Sequence, residues 1–214
     1  MTQSASPHHQ PSPEASRMPS NGSGVPEVGP RVGFTTLGVA FLAGVVLGLL
    51  DLVAQHVLPY PWANLANSPA VWALAAFVLG GRVARVRWLP AAAGVVLLVV
   101  AVEAYEAAAV VGLHDSTSLL LTEPSTVRWL LSGVLAGALF GSAGSWSRRS
   151  NGPLRVLGVA LPVATFMTEA ATQLLRVGDR NYDQASVLET VAITLSLAVL
   201  VLVFAWRGGA ERSC

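Results

Sequence analysis

Six apolar stretches fill most of this chain, at residues 32–58, 69–86, 89–111, 127–146, 154–175 and 187–206. Crossing ~30 Å of hydrocarbon takes about 20 helical residues, and each stretch approaches or exceeds that length. Backbone N–H and C=O groups find no water inside a bilayer, and a helix satisfies them within one segment. The expected fold is therefore all-α, a polytopic membrane bundle of six transmembrane helices. The second stretch is the shortest, because only 13 residues of it precede Arg82. It spans if Arg82 and Arg85 snorkel to the headgroups. The first stretch is too long for a cleaved signal peptide and follows a long polar tail.

The composition agrees. Charged residues make up 12% of the chain, against about 25% in soluble domains. Residues 1–30 are rich in Ser, Pro, Gly and Gln and lack apolar periodicity, so a disordered cytoplasmic tail is expected there. Within it His8 and His9 read as solvated residues and not as metal ligands, and Met18 offers an alternative start. The transmembrane domain is expected over 31–207 and a short cytoplasmic tail over 208–214. The only cysteine is Cys214. It permits no intramolecular disulfide, no structural zinc pair and no C-a-a-X prenylation. No cofactor or metal is expected.

Arginine sets the orientation, since all 13 basic residues are Arg. With the N-terminus inside, ten of them fall on the inner side. The outer side holds only Arg128, Arg176 and Arg180. The positive-inside rule then places both termini in the cytoplasm and the protein in the cell membrane as a multi-pass chain. The tryptophans form matching belts, with Trp62, Trp72 and Trp129 outside and Trp88, Trp146 and Trp206 inside. Residues 59–68, "PYPWANLANS", are uncharged and aromatic, so this outer loop is expected to lie on the interface. Ser68 and Pro69 make a good N-cap and first residue for the second helix.

Against this apolar background, four of the six stretches carry carboxylates: Asp51, Glu103 with Glu106, Glu169 and Glu189. An ionised acid at a helix centre costs ~2.5–3.5 kcal/mol on insertion scales. At 1.5 Å per residue, Asp51 lies ~10 Å below the outer end of its helix. Glu103, Glu106 and Glu169 lie ~12, ~8 and ~9 Å below theirs, and Glu189 about one turn in. A shared depth suggests a polar site inside the bundle. Gly44, Gly48, Asp51 and Gln55 follow helical spacing, and so do Pro162, Thr165, Glu169, Gln173 and Arg176. Pro162 is expected to kink its helix and free a carbonyl. The candidate ligand-binding residues are Asp51, Glu103, Glu106 and Glu169, with Tyr105, Gln55 and Gln173 orienting the ligand. That ligand would be a small cationic solute or a proton. The opposing reading is structural: Glu189 and also Glu106 reach the headgroups, Glu169 pairs with Arg176, and Asp51 bonds a neighbouring helix to fix register.

Small residues mark packing faces. Gly133, Gly137 and Gly141 form a ridge on the fourth helix, and Gly44 and Gly48 on the first. Besides the lipid bilayer, a membrane partner or a second copy could dock on them. "FLAGVVLG" (41–48) resembles "VLAGALFG" (134–141). That likeness reads as shared helix packing, because the other helix pairs do not align as an inverted repeat.

Catalytic and cofactor motifs fail on inspection. "GSAG" (141–144) has its serine one place early for the rhomboid protease motif, and no later helix supplies a histidine base. "DRNYD" (179–183) opens like an EF-hand loop but has Gln184 where glycine is required and Thr190 where the bidentate Glu belongs. There is no P-loop, dinucleotide fingerprint or HExxH. The inner Arg clusters reflect topology and anionic lipid, not nucleic acid. The chain reads as a non-enzyme.

The stretch "LPYPWANLANSPAVWALAAFVLGG" (58–81), following a Gly-rich first helix, resembles an uncharacterised family of actinobacterial multi-pass membrane proteins, most clearly over about 34–110. That resemblance implies six helices in a cytoplasmic membrane and assigns no activity. In size, helix number and an outward polar pocket the chain is also similar to the substrate-capture subunits of energy-coupling-factor transporters. Those dock on a partner through small residues spaced by four, a spacing that Ala40, Gly44 and Gly48 share. The function expected is a small-solute or cation binding or transport subunit. The alternative is an assembly protein whose acids fix helix packing.

Overall fold

The computed structural model describes residues 30–83, 87–113, 124–149, 152–177 and 183–210. The N-terminal tail, Arg85, most of the loops after residues 113 and 177, and Cys214 lie outside them. The described residues form seven helices: α1 Pro30–Val57, α2 Trp62–Ala66, α3 Pro69–Arg82, α4 Leu89–Leu113, α5 Pro124–Ser147, α6 Pro153–Leu174 and α7 Gln184–Ala210. α7 runs three residues past 207, where the tail was expected to begin.

Five of these helices, α1, α4, α5, α6 and α7, are long and apolar enough to cross a membrane by length and composition. Their outer faces fit that medium. Phe34, Leu42, Leu135, Val156 and Val199 are each at least 60% exposed, which suits lipid and would be a liability in water. The second apolar stretch folds differently from expectation. Its helix α3 stops at Arg82 after 14 residues, a length of ~21 Å. Residues 84–86 of the expected segment lie outside the described residues. α3 packs on α4, α5 and α6, and Ala70, Ala73, Ala76, Gly80 and Gly81 are buried. Before it, α2 forms one short turn of helix in the loop expected at the interface.

The helix starts follow local chemistry. Ser68 caps α3, its Oγ accepting from the Ala70 amide at 3.2 Å, with Pro69 as the first helical residue. Asp183 precedes α7, and its Oδ2 accepts from the amide and hydroxyl of Ser186 at 3.0 and 2.6 Å. Those two donors hold the Asp183 carboxyl below the usual carboxylate range. Gly152 has φ of +107° before α6, a conformation open to a residue without Cβ. Pro162 is fully buried, and α6 runs through it without a break.

Small residues let backbones touch. α4 is clamped between α1 and α5. On one side Gly44 meets the Leu97 carbonyl and Gly48 the Ala101 carbonyl. On the other, Gly94 and Gly137 lie against each other's carbonyls, and Gly141 against that of Pro90. The two similar octapeptides thus read alike because each supplies a close-approach face for α4. α5 also receives α3, through Gly80 on Gly141 and Gly144 on Phe77. Gly133 faces Leu98. The glycines offered to a partner or a second copy are therefore turned toward helices of the same chain.

Candidate functional site

A cleft of about 230 Å³ opens between α1, α3, α4 and α5. Each wall is a helical stripe. α4 supplies Leu98, Val102, Tyr105 and Glu106, and α5 supplies Trp129, Ser132, Gly133 and Ala136. α3 contributes Pro69, Trp72 and Ala73, Asn67 lies just before it, and α1 contributes Asp51. The spacings are i, i+3, i+4 and i+7 or their close variants, so each set occupies one helix face.

Asp51 is the most confined polar group in this wall. It is 4% exposed, and its Oδ1 has no hydrogen-bond partner among the described residues. The side chains of Gln55 and Trp72 lie beside its carboxyl, and Tyr105 lies near Asp51, Gln55 and Glu106. Gln55 stands behind the lining and leaves its own Nε2 without a partner among the described residues. A buried acceptor left unsatisfied costs about 1–3 kcal/mol. The fold retains one here, in a residue of the cleft wall.

The structure brings together Asp51, Tyr105 and Glu106, with Gln55 adjacent, and separates the rest. Glu103 is half-buried and does not line the cleft. Gln173 is buried on α6, its Oε1 accepting from Arg176 Nη1 at 3.1 Å. Glu169 is engaged elsewhere. Its Oε2 accepts from the Ala70 amide at 3.4 Å, next to the Ser68 cap. The acid of α6 therefore serves the start of α3. The shared depth read from the sequence has a physical basis, because Asp51, Glu106 and Glu169 all surround the N-terminal end of α3. That end carries a partial positive charge that favours carboxylates. Glu189, on α7, is exposed.

Residues outside the expected set complete the wall. Trp72 and Trp129 read as interface belts in sequence, and α5 has no acid to draw attention to it. The available signal was the stripe Trp129, Ser132, Gly133 and Ala136, polar or small at helical spacing.

Ser68 and Glu169 meet at one amide, so their effects should couple. Ser68→Ala alone is expected to cost about 1 kcal/mol. Adding Glu169→Leu should cost more than the sum of the two single changes, because each cap covers for the other. Chemical unfolding in detergent of the four proteins in the cycle reads this directly; strict additivity would show that Glu169 does not support α3.

Comparison with known proteins comes down to one match. Residues 29–213 match a family model described as "Family of unknown function (DUF6518)", and the chain belongs to that family. No curated protein and no solved structure matches it.

Proposed function

We propose that this member of a family without an assigned function is a non-catalytic, six-span protein of the cytoplasmic membrane. In this reading α3 is the short sixth span and both termini are cytoplasmic. The cleft faces outward and binds a small cationic solute or proton, as a binding or transport subunit would. Support for the topology comes from the Arg distribution and the five long apolar helices. Any likeness to substrate-capture subunits rests on the cleft alone, since Gly44 and Gly48 are turned to α4.

One observation carries the reading: a nearly buried carboxylate, Asp51, in the wall of an open cleft, with one oxygen that has no hydrogen-bond partner among the described residues. An acid kept for packing should have its oxygens engaged, as that of Glu169 is. An acid kept for a ligand is strained until the ligand arrives. Asp51→Asn separates the two. A binding acid is expected to give up strain, so the unliganded variant should be as stable as the parent or more so, by about 1 kcal/mol. A register-fixing acid should lose stability on the same change. Thermal unfolding in detergent measures it, and a clear drop in melting temperature would overturn the assignment of Asp51 to a ligand.

The structural alternative has two observations in its favour, the contact of Glu169 with the α3 amide and the side chain of Trp72, on α3, beside the Asp51 carboxyl. The first applies to Glu169 alone and leaves the cleft to Asp51, Glu106 and Tyr105; the stability of Asp51→Asn decides the second.

A further inference from the structure

The chemistry of the cleft narrows its ligand. Among the described residues the lining has two carboxylates, Asp51 and Glu106, and no basic side chain. The nearest positive feature, the N-terminus of α3, is already in use. Pro69 has no amide hydrogen, Ala70 donates to Ser68 and Glu169, and Val71 and Trp72 donate to the Ser68 carbonyl. An anion would therefore find no free amide there and two like charges opposite it. A cation meets matching charge.

The walls favour an organic cation over a bare metal ion. Trp72, Trp129 and Tyr105 supply aromatic surface, which attracts ammonium groups at ~0.5–2 kcal/mol per contact. Leu98, Val102, Ala73 and Ala136 add an apolar surface that suits carbon. Among the described residues no three His, Cys, Asp or Glu side chains are grouped to hold a metal. A space of about 230 Å³ also exceeds what a single ion fills.

Resting on the cationic-solute reading, we propose that the cleft takes a protonated organic amine. Its ammonium group pairs with the Asp51 carboxylate, and its hydrocarbon part lies between Trp72, Trp129 and the Leu98–Val102 wall.

The test uses the full-length protein in nanodiscs, with tryptophan fluorescence and melting temperature as readouts. The probes are n-butylammonium chloride, n-butanol, sodium chloride and magnesium chloride. Butylammonium is expected to give a saturable response that the other three do not. Asp51→Asn should weaken it roughly tenfold or more. Trp129→Leu should weaken it several-fold; Trp129 is half exposed, so the fold does not depend on it. If butanol saturates equally, charge plays no part and the amine is wrong, while a binding cleft stands. If sodium or magnesium saturates and butylammonium does not, the ligand is an inorganic cation, which overturns the amine and keeps the broader reading. If no probe saturates, the amine assignment falls, and the broader reading then depends on the stability of Asp51→Asn. A wild-type response from Trp129→Leu would overturn the placement of the ligand against that wall.

Discussion

Gly137→Leu is expected to leave no folded protein. The α4–α5 crossing brings backbone against backbone at this position. A Cβ there would lie 2.5 Å from the Gly94 oxygen and 2.7 Å from Val95 Cα. Neither atom is the tip of a flexible side chain, so the helices must separate. Overpacking of a well-filled core usually costs about 1–3 kcal/mol and more where backbone must move. Total stability is ~5–15 kcal/mol, and α5 contacts α3, α4 and α6, so a shift of α5 disturbs the whole bundle. Gly38→Leu is the control, since a Cβ at Gly38 meets nothing within 4 Å. Fluorescence-detected size exclusion of solubilised protein should give a sharp peak for the control and aggregate for Gly137→Leu. A sharp, heat-resistant Gly137→Leu peak would show that the crossing is not as close as described.

Phe166→Ala should lower stability by about 3 kcal/mol or more. Phe166 is 0% exposed and sits with Ala70 of α3 and Ala198 of α7, bordered by Val71, Leu74, Val163, Leu197 and Val201. In lipid there is little hydrophobic gain between helices, so the loss comes from contacts and the cavity left behind. The site joins α6 and α7 to α3. It lies outside the cleft wall, so butylammonium affinity per folded molecule should stay at the parent value. Thermal unfolding and the nanodisc titration together check this; a Phe166→Ala protein of unchanged melting temperature would mean that α6 and α7 are held chiefly by other contacts.

How far the sequence spoke varies by residue. Ser68 and Pro69 announced the start of α3, because capping is local chemistry. Its end was not announced: the stretch was read to 86, while α3 stops at Arg82, and its packing against α4, α5 and α6 is a tertiary fact. The depth of Asp51, Glu106 and Glu169 was legible from helical rise. Their division between cleft and cap was not, because depth fixes height along a helix and not the neighbour across from it. Trp72 and Trp129 were ambiguous for a similar reason: an aromatic near the outer end of a helix serves equally as interface anchor or cleft wall. The glycine ridges were plain as packing faces. That their partner was α4 on both sides required the fold.

The short α3 also has a consequence in time. Chains are made from the N-terminus, so α3 leaves the ribosome before α4, α5 and α6, the helices that enclose it. At 14 residues it is too short to settle across lipid alone. Its cap is completed by Glu169, 99 residues downstream of Ala70. The first half of the protein is therefore committed to the membrane before one of its own helices has a stable seat, and synthesis of α6 completes that seat.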